Sequence, residues 1–232
     1  MCFYDVAFAD IPFELSEMYA LMGYSGKYKP DSEVQAIIDD MLFVMSDVCK
    51  PRIGYKIVNG QVIDKEHINI DGGGGGGVLL STGRIITYAM HEAEKFAIFT
   101  ATAGGEFDAW LKAVEHEYDI VKTYLANTLG SVIAEAAVSL LMRRLEADCA
   151  AQGLKVSNSY SPGYCDWLLV EQKKLLSVLD GENTGITLTP SCMMLPVKSV
   201  SGIAGAGKNV KKRPYGCAIC KMKNCIRNKN QQ

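Results

Sequence analysis

Residues 96–105 read FAIFTATAGG, and residues 107–152 continue as FDAWLKAVEHEYDIVKTYLANTLGSVIAEAAVSLLMRRLEADCAAQ. The order strand, glycine pair, long helix decides the fold class. Phe96–Ala103 is apolar and β-prone and stops at Gly104-Gly105, which predicts a buried strand. From Phe107 to Gln152 the pattern is helical, in two segments meeting near Asp119. Val121, Leu125, Leu129, Val132, Ile133, Ala136, Leu140 and Leu141 form the apolar stripe of the second segment, and Gly153 is its stop. Outward on the C-terminal side, Leu154–Tyr160 reads as a strand and Ser161-Pro162-Gly163-Tyr164 as a turn. Trp167–Leu179 reads as an amphipathic helix, and 185–188 and 199–203 as short strands. On the N-terminal side a short helix is expected over residues 13–22. A clearer one is capped by Asp31 and ended by Pro51. Ile53–Val58 alternates as a strand, and Asn59-Gly60 predicts a tight hairpin into Gln61–Ile63. Strands and helices do not alternate regularly, so the class is α+β and not a doubly wound sheet.

Several chemical signatures fail on their context. Gly72–Gly77 is a run of six glycines with no strand-turn-helix unit around it, and is read as a mobile loop. Gly202-Ile203-Ala204-Gly205-Ala206-Gly207-Lys208 has the spacing of a phosphate-binding loop, but Asn209 stands where a magnesium-holding hydroxyl belongs. Too little chain follows to complete a nucleotide-binding sheet. His91-Glu92 begins like a zinc-protease helix, yet Lys95 occupies the second histidine position, and His67, His91 and His116 do not cluster. No nucleophile elbow is present.

The 232 residues carry a net charge of -2, which gives no electrostatic reason to expect nucleic acid or an anionic membrane as partner. The basic residues of the C-terminal tail, from Lys208 to Lys229, are a local exception. Val132–Met142 is too short an apolar run to span a bilayer, and Met1–Ser16 lacks a basic leader. Eight cysteines without such a leader suggest a reducing, cytoplasmic setting. In the tail, Cys217-x-x-Cys220-x4-Cys225 brings three thiols within reach of one metal, with Cys192 or Cys165 as a fourth ligand. An iron–sulfur cluster, a structural zinc and three free thiols all remain open readings of this feature.

Two segments carry a family resemblance. Ser161-Pro162-Gly163-Tyr164 is followed by Gly185-Ile186-Thr187-Leu188-Thr189-Pro190-Ser191-Cys192-Met193-Met194-Leu195-Pro196-Val197-Lys198-Ser199-Val200-Ser201-Gly202. This resembles the reactivation (activation) domain of vitamin B12 (cobalamin)-dependent methionine synthase, in a free-standing form. In that family a Pro-Gly-Tyr turn precedes a helix and then the pattern G-(I/V)-x-L-T-x-S-x-x-M-x-P-x-x-S-V-S-G. The helix bearing Ala134-Glu135-Ala136 lies upstream in the same order, and the match is strongest over residues 120–203.

The resemblance implies S-adenosylmethionine (AdoMet) as ligand, held by Glu135, Ser161, Pro162, Gly163 and Tyr164. It also implies a cobalamin-binding methyltransferase protein and an electron donor as partners, the chain supporting reductive methylation of oxidised cobalamin. No D-x-H-x-x-G motif is present, so the corrinoid is expected on the partner. The family places an arginine shortly before Gly-Tyr, where this chain reads Asn158-Ser159-Tyr160-Ser161. Ser159 cannot offer a bidentate cation to the AdoMet carboxylate, so either another cation serves or affinity falls. The resulting expectation is one domain over residues 1–207, with a twisted, mainly antiparallel sheet flanked by long helices, and a cysteine-bearing basic tail over 208–232. The alternative function is a redox or metal-binding module using that tail, with a degenerate AdoMet site.

Overall fold

The computed structural model describes residues 2–24, 28–72, 76–213 and 215. In chain order its elements are β1 (Cys2–Asp5), α1 (Leu15–Leu21), α2 (Ser32–Val48), β2 (Arg52–Val62), β3 (His67–Gly72), β4 (Gly76–Ser81) and α3 (Gly83–Ala89). They continue with β5 (Lys95–Thr102), α4 (Gly105–Glu115), α5 (Ile120–Ala150), β6 (Lys155–Val156), α6 (Gln172–Ser177), β7 (Thr187–Leu188), β8 (Met194–Leu195) and β9 (Ser199–Gly207). An antiparallel sheet runs in the order β4-β3-β2-β5-β9-β6 with β1 added beside β2, and β7 and β8 form a separate hairpin. The α+β class and the antiparallel sheet flanked by helices are as the sequence predicts.

The two-residue period of β5 sorts its side chains between two cores. Ala97, Phe99 and Ala101 face the C-terminal half of α5, where Ala136, Ala137, Leu141 and Leu145 pack with Ala204 and Ala206. Alanine against alanine lets that helix lie close on the sheet. Phe96 and Ile98 face the other way, into a core with Ile86 and Met90, Trp167, Leu175 and Ile203. A third core lies beyond the sheet, where Phe107 and Leu111 meet Met18, Ile38, Met41 and the N-terminal half of α5. Thus α5 bridges two cores. It is long and apolar enough to cross a membrane, but 67% of its most apolar window is buried within the fold. Its expected stripe holds except at Val121, which is 48% exposed in the first turn.

Helix starts follow the sequence closely. Asp31 accepts from the amides of Glu33 and Val34, and Asp119 accepts from the amide of Lys122 at the head of α5. Asp31→Ala is expected to lower unfolding free energy by about 1 kcal/mol, read by urea denaturation, since it leaves those amides uncapped.

Four expectations need correction. Asn59-Gly60 is no hairpin turn: β2 runs straight through it, with Asn59 opposite Lys95 and Gly60 opposite Ile70. A Cβ on Gly60 would lie 2.6 Å from the Asn69 carbonyl oxygen and 2.9 Å from the Phe96 ring, so this glycine serves close approach and not reversal. Gly72, Gly76 and Gly77 are strand residues of the β3–β4 pair, not loop, while Gly73–Gly75 lie outside the described residues. The Leu154–Tyr160 strand shrinks to β6 plus a single bridge from Tyr160 to Ile203, because the Ser157 hydroxyl takes over the Gly205 amide. The helix expected over Trp167–Leu179 is a 3-10 turn (Leu169–Glu171) followed by α6. Trp167 lies before it, buried in the second core, and Leu168 is extended.

The stretch with phosphate-loop spacing is the interior of β9, hydrogen-bonded to β5 along its length. Its glycines admit neighbours: a Cβ on Gly202 would sit 2.5 Å from both Phe99 Cζ and the Tyr160 carbonyl oxygen.

Candidate functional site

The Tyr160–Ile203 bridge is where the segment paired with the outer side of β9 leaves it. Beyond it, toward Ser199, the described residues put no strand on the outer side of β9. A cavity of about 490 Å³ opens along that edge, bounded by α5, the Ser161–Tyr164 turn, the start of α6 and the β7–β8 loop. This size lies within the range of about 300–1,000 Å³ usual for small-molecule sites.

Each wall has a local cause. In the turn, Gly163 adopts a φ of +93°, and its amide donates to the Trp167 carbonyl at 2.7 Å. A Cβ there would meet only Leu169, at 3.8 Å, so Gly163 is required for its backbone angle and not to clear space. Cys165 and Asp166 follow with φ of +54° and +65°, which turns the chain so that Trp167 is buried while Tyr164 stays 44% exposed at the cavity. From α5, Ser131, Ala134, Glu135 and Val138 recur at three- and four-residue spacing on the cavity side.

The β7–β8 loop shows why its motif needs hydroxyl residues. The Thr189 hydroxyl accepts from the Met193 amide at 3.0 Å and meets the Ser191 hydroxyl at 2.9 Å. Cys192 turns the loop at a φ of +66°, and its carbonyl accepts from the buried Gln172 side chain at 3.1 Å. On the other flank, Asp108 of α4 accepts from the Val197 amide at 2.7 Å.

Among the described lining residues Glu135 is the one carboxylate and Lys198 the one cation. The Lys198 amine donates to the Ser131 hydroxyl at 3.1 Å. Burial pushes its pKa down, and the carboxylates of Asp108 and Glu115 oppose that shift. Tyr160, beneath the cavity, has its hydroxyl pushed up to about 12, first by burial and then by Tyr215. Tyr215 closes the far end, its hydroxyl donating to the Ser159 carbonyl at 3.3 Å. Ser201 is buried in the wall with a hydroxyl that has no hydrogen-bond partner among the described residues.

The structure therefore brings Glu135, Ser161, Pro162 and Tyr164 together on one cavity, with Gly163 shaping the turn that carries the last three. Of the residues named as metal ligands, Cys192 is buried in the cavity wall, and Cys165 also lines it. Cys217, Cys220 and Cys225 lie outside the described residues. Among the described residues no group of three or more His, Cys, Asp or Glu is placed to hold a metal. Sequence reasoning missed Lys198, Gln172 and Ser131. Gln172 had a readable signal, being the polar residue on the stripe of Leu175 and Leu179. Lys198 and Ser131 had none, because only packing makes them neighbours.

Comparison with known proteins agrees with this architecture. No curated protein matches the chain. A solved structure titled "Crystal Structure of the MetH Reactivation Domain bound to AdoHcy" superposes with a TM-score of 0.68 at 18% identity, covering 90% of this chain and 79% of that one. At that identity the likeness speaks for the fold. The family model for the vitamin B12 dependent methionine synthase activation domain matches residues 85–225, more than half of the chain and the part that builds β5, β9, α5 and all of the cavity lining except Leu21. The chain belongs to the family of vitamin B12-dependent methionine synthase activation domains.

Proposed function

We propose that the cavity binds AdoMet and presents its methyl group to a cobalamin carried by a partner methyltransferase. The observation that carries this reading is the convergence of Glu135 and the Ser161–Tyr164 turn, distant in sequence, on a single apolar-walled cavity of small-molecule size. The Tyr164 ring offers a π face to the sulfonium or the adenine. The Glu135 carboxylate accepts from the ligand's ammonium, in a half-buried position where a charge-assisted bond is stronger than in water. AdoMet supplies the methyl group and a separate donor one electron, which together return an oxidised cobalamin on the partner to methylcobalamin and leave S-adenosylhomocysteine. A sulfonium is its own leaving group, so the residues have to bind, orient and exclude water but need transfer no proton.

The mouth of the cavity suits docking by that partner. Tyr164, Leu169, Met193 and Val197 line the cavity and are also exposed, and Leu168 and Leu195 extend the apolar rim. A contiguous apolar rim of this kind marks an interaction surface.

Calorimetric titration of AdoMet into the full chain and into a chain ending after Tyr215 tests the reading. Described contacts reach that far, with Val210 buried and Tyr215 at the cavity, so this truncation removes the cysteine segment and spares the walls. Equal saturable binding by both forms is expected. Binding lost on truncation, in a protein that still unfolds cooperatively, would transfer the ligand site to the tail. Absence of binding by either form at millimolar AdoMet would defeat the proposal.

A further inference from the structure

The family's arginine position is filled by Ser159, and the nearby Arg213 is engaged elsewhere: its guanidinium lies 4.8 Å from the Tyr88 ring centroid and donates to the Tyr88 hydroxyl. The cation that does line the cavity is Lys198, held in place from three sides. Its carbonyl accepts from the Ala103 amide at 2.9 Å, tying the residue to the end of β5. The preceding Val197 amide is fixed by Asp108. Its aliphatic stem lies directly on the backbone of α5, since a Cβ on Gly130 would come within 2.8 Å of Lys198 Cγ. Gly130 is thus the gap through which the lysine crosses the helix, and the amine emerges at Ser131. The Ser131 hydroxyl donates in turn to the Asn127 carbonyl at 3.0 Å, which leaves its lone pairs to receive the lysine.

Ser131 and Glu135 are four residues apart on α5, so they are neighbours about 5–6 Å apart on one helix face. An ammonium parked at Ser131 and a carboxylate at Glu135 therefore stand one helical turn apart on the same wall. That is the spacing needed to bracket the two opposite charges of a free α-amino acid, each at hydrogen-bond distance from its partner.

On the reading that the cavity takes AdoMet, we infer that Lys198, supported by Ser131, is the anchor for the ligand's carboxylate, while Glu135 takes its amino group. The site then selects a molecule with a free amino-acid end, and the anchor comes from the residue just before β9, its side chain crossing α5, rather than from the chain before the Gly-Tyr turn.

Ligand substitution separates this role from mere packing. AdoMet and decarboxylated AdoMet, which keeps the sulfonium and the amine, are titrated calorimetrically into wild type, Lys198→Met and Lys198→Arg. Wild type should bind AdoMet about 10- to 100-fold more tightly than the decarboxylated compound. Lys198→Met should weaken AdoMet by a similar factor and leave decarboxylated AdoMet unchanged, and Lys198→Arg should retain the preference. A lysine that only packs would, when replaced, weaken both ligands alike, and that result overturns the inference. So does a wild type that binds both ligands equally well, a measurement that needs no variant to fold. Failure of wild type to bind either compound would instead defeat the AdoMet reading itself.

Discussion

Phe99→Ala is expected to lower the unfolding free energy by about 3–5 kcal/mol, the range for truncating a fully buried aromatic residue. Phe99 has no exposed surface and sits at the middle of β5, between α5 and the neighbouring strand β9. Its ring presses on Gly202, its partner across the β5–β9 ladder, where a Cβ would lie 2.5 Å from Cζ and 2.8 Å from Cε1. Gly202→Ala alone is therefore expected to cost about 1–3 kcal/mol by overpacking. Placed together, the two changes should cost less than their sum, because the new methyl occupies space the ring has vacated. The Tyr160 carbonyl oxygen, also 2.5 Å from that Cβ, prevents full compensation. Urea unfolding of the wild type, both single variants and the pair measures the coupling. Strict additivity would mean that the sheet relaxes around Gly202 without involving Phe99.

Glu135→Gln is expected to weaken AdoMet by about tenfold or more, through loss of a charge-assisted hydrogen bond worth roughly 1.5–3 kcal/mol. The glutamine keeps the shape of the side chain on a helix whose neighbouring residues Ala134 and Ala136 are buried, so the fold is expected to survive. Tyr164→Ala should cost about 0.5–2 kcal/mol of binding, and since the ring is partly exposed the stability should hardly move. On the proposed reading the two residues grip different ends of the ligand, and 5′-methylthioadenosine, which lacks the amino-acid end, tells them apart. Its affinity should be indifferent to Glu135→Gln, and should fall with Tyr164→Ala where the ring stacks on adenine. A Glu135→Gln variant that loses both ligands equally would place the carboxylate at the adenosine end or in the cavity's framework.

If the cavity takes AdoMet as proposed, the placement of Lys198 and Glu135 also bears on how a site of this kind would tolerate serine at position 159. Two cations at different points in the chain can serve one carboxylate, provided each is held by its backbone before the ligand arrives. Here that holding is done by Asp108, Ala103 and Gly130, none of which touches the cavity.

Much of the fold was legible because its signals are local. Asp31 and Asp119 cap helices through amides two or three residues away, and the stripe from Leu125 to Leu141 repeats within single helical turns. The Ser161–Tyr164 turn and the 185–202 motif were legible through their resemblance to a known family, whose pattern is a short run of glycine, hydroxyl residues and proline. What stayed hidden was whatever a distant neighbour decides. Gly60 read as a turn, and Gly202, though placed in a strand, showed no reason to be glycine; both are strand interiors where another chain segment comes too close for a side chain. A missing Cβ looks the same in sequence whether it frees φ or makes room. Lys198 likewise read as one lysine in a motif, and only the passage of its side chain over Gly130 set its amine beside Ser131, one helical turn from Glu135 in the sequence of α5. The sequence by itself determined the fold class, the long helices with their caps, the central strand and the family; the tertiary structure alone decided where the glycine-rich strands pair and which charges share a cavity, because that depends on packing between residues tens of positions apart and not on any periodicity along the chain.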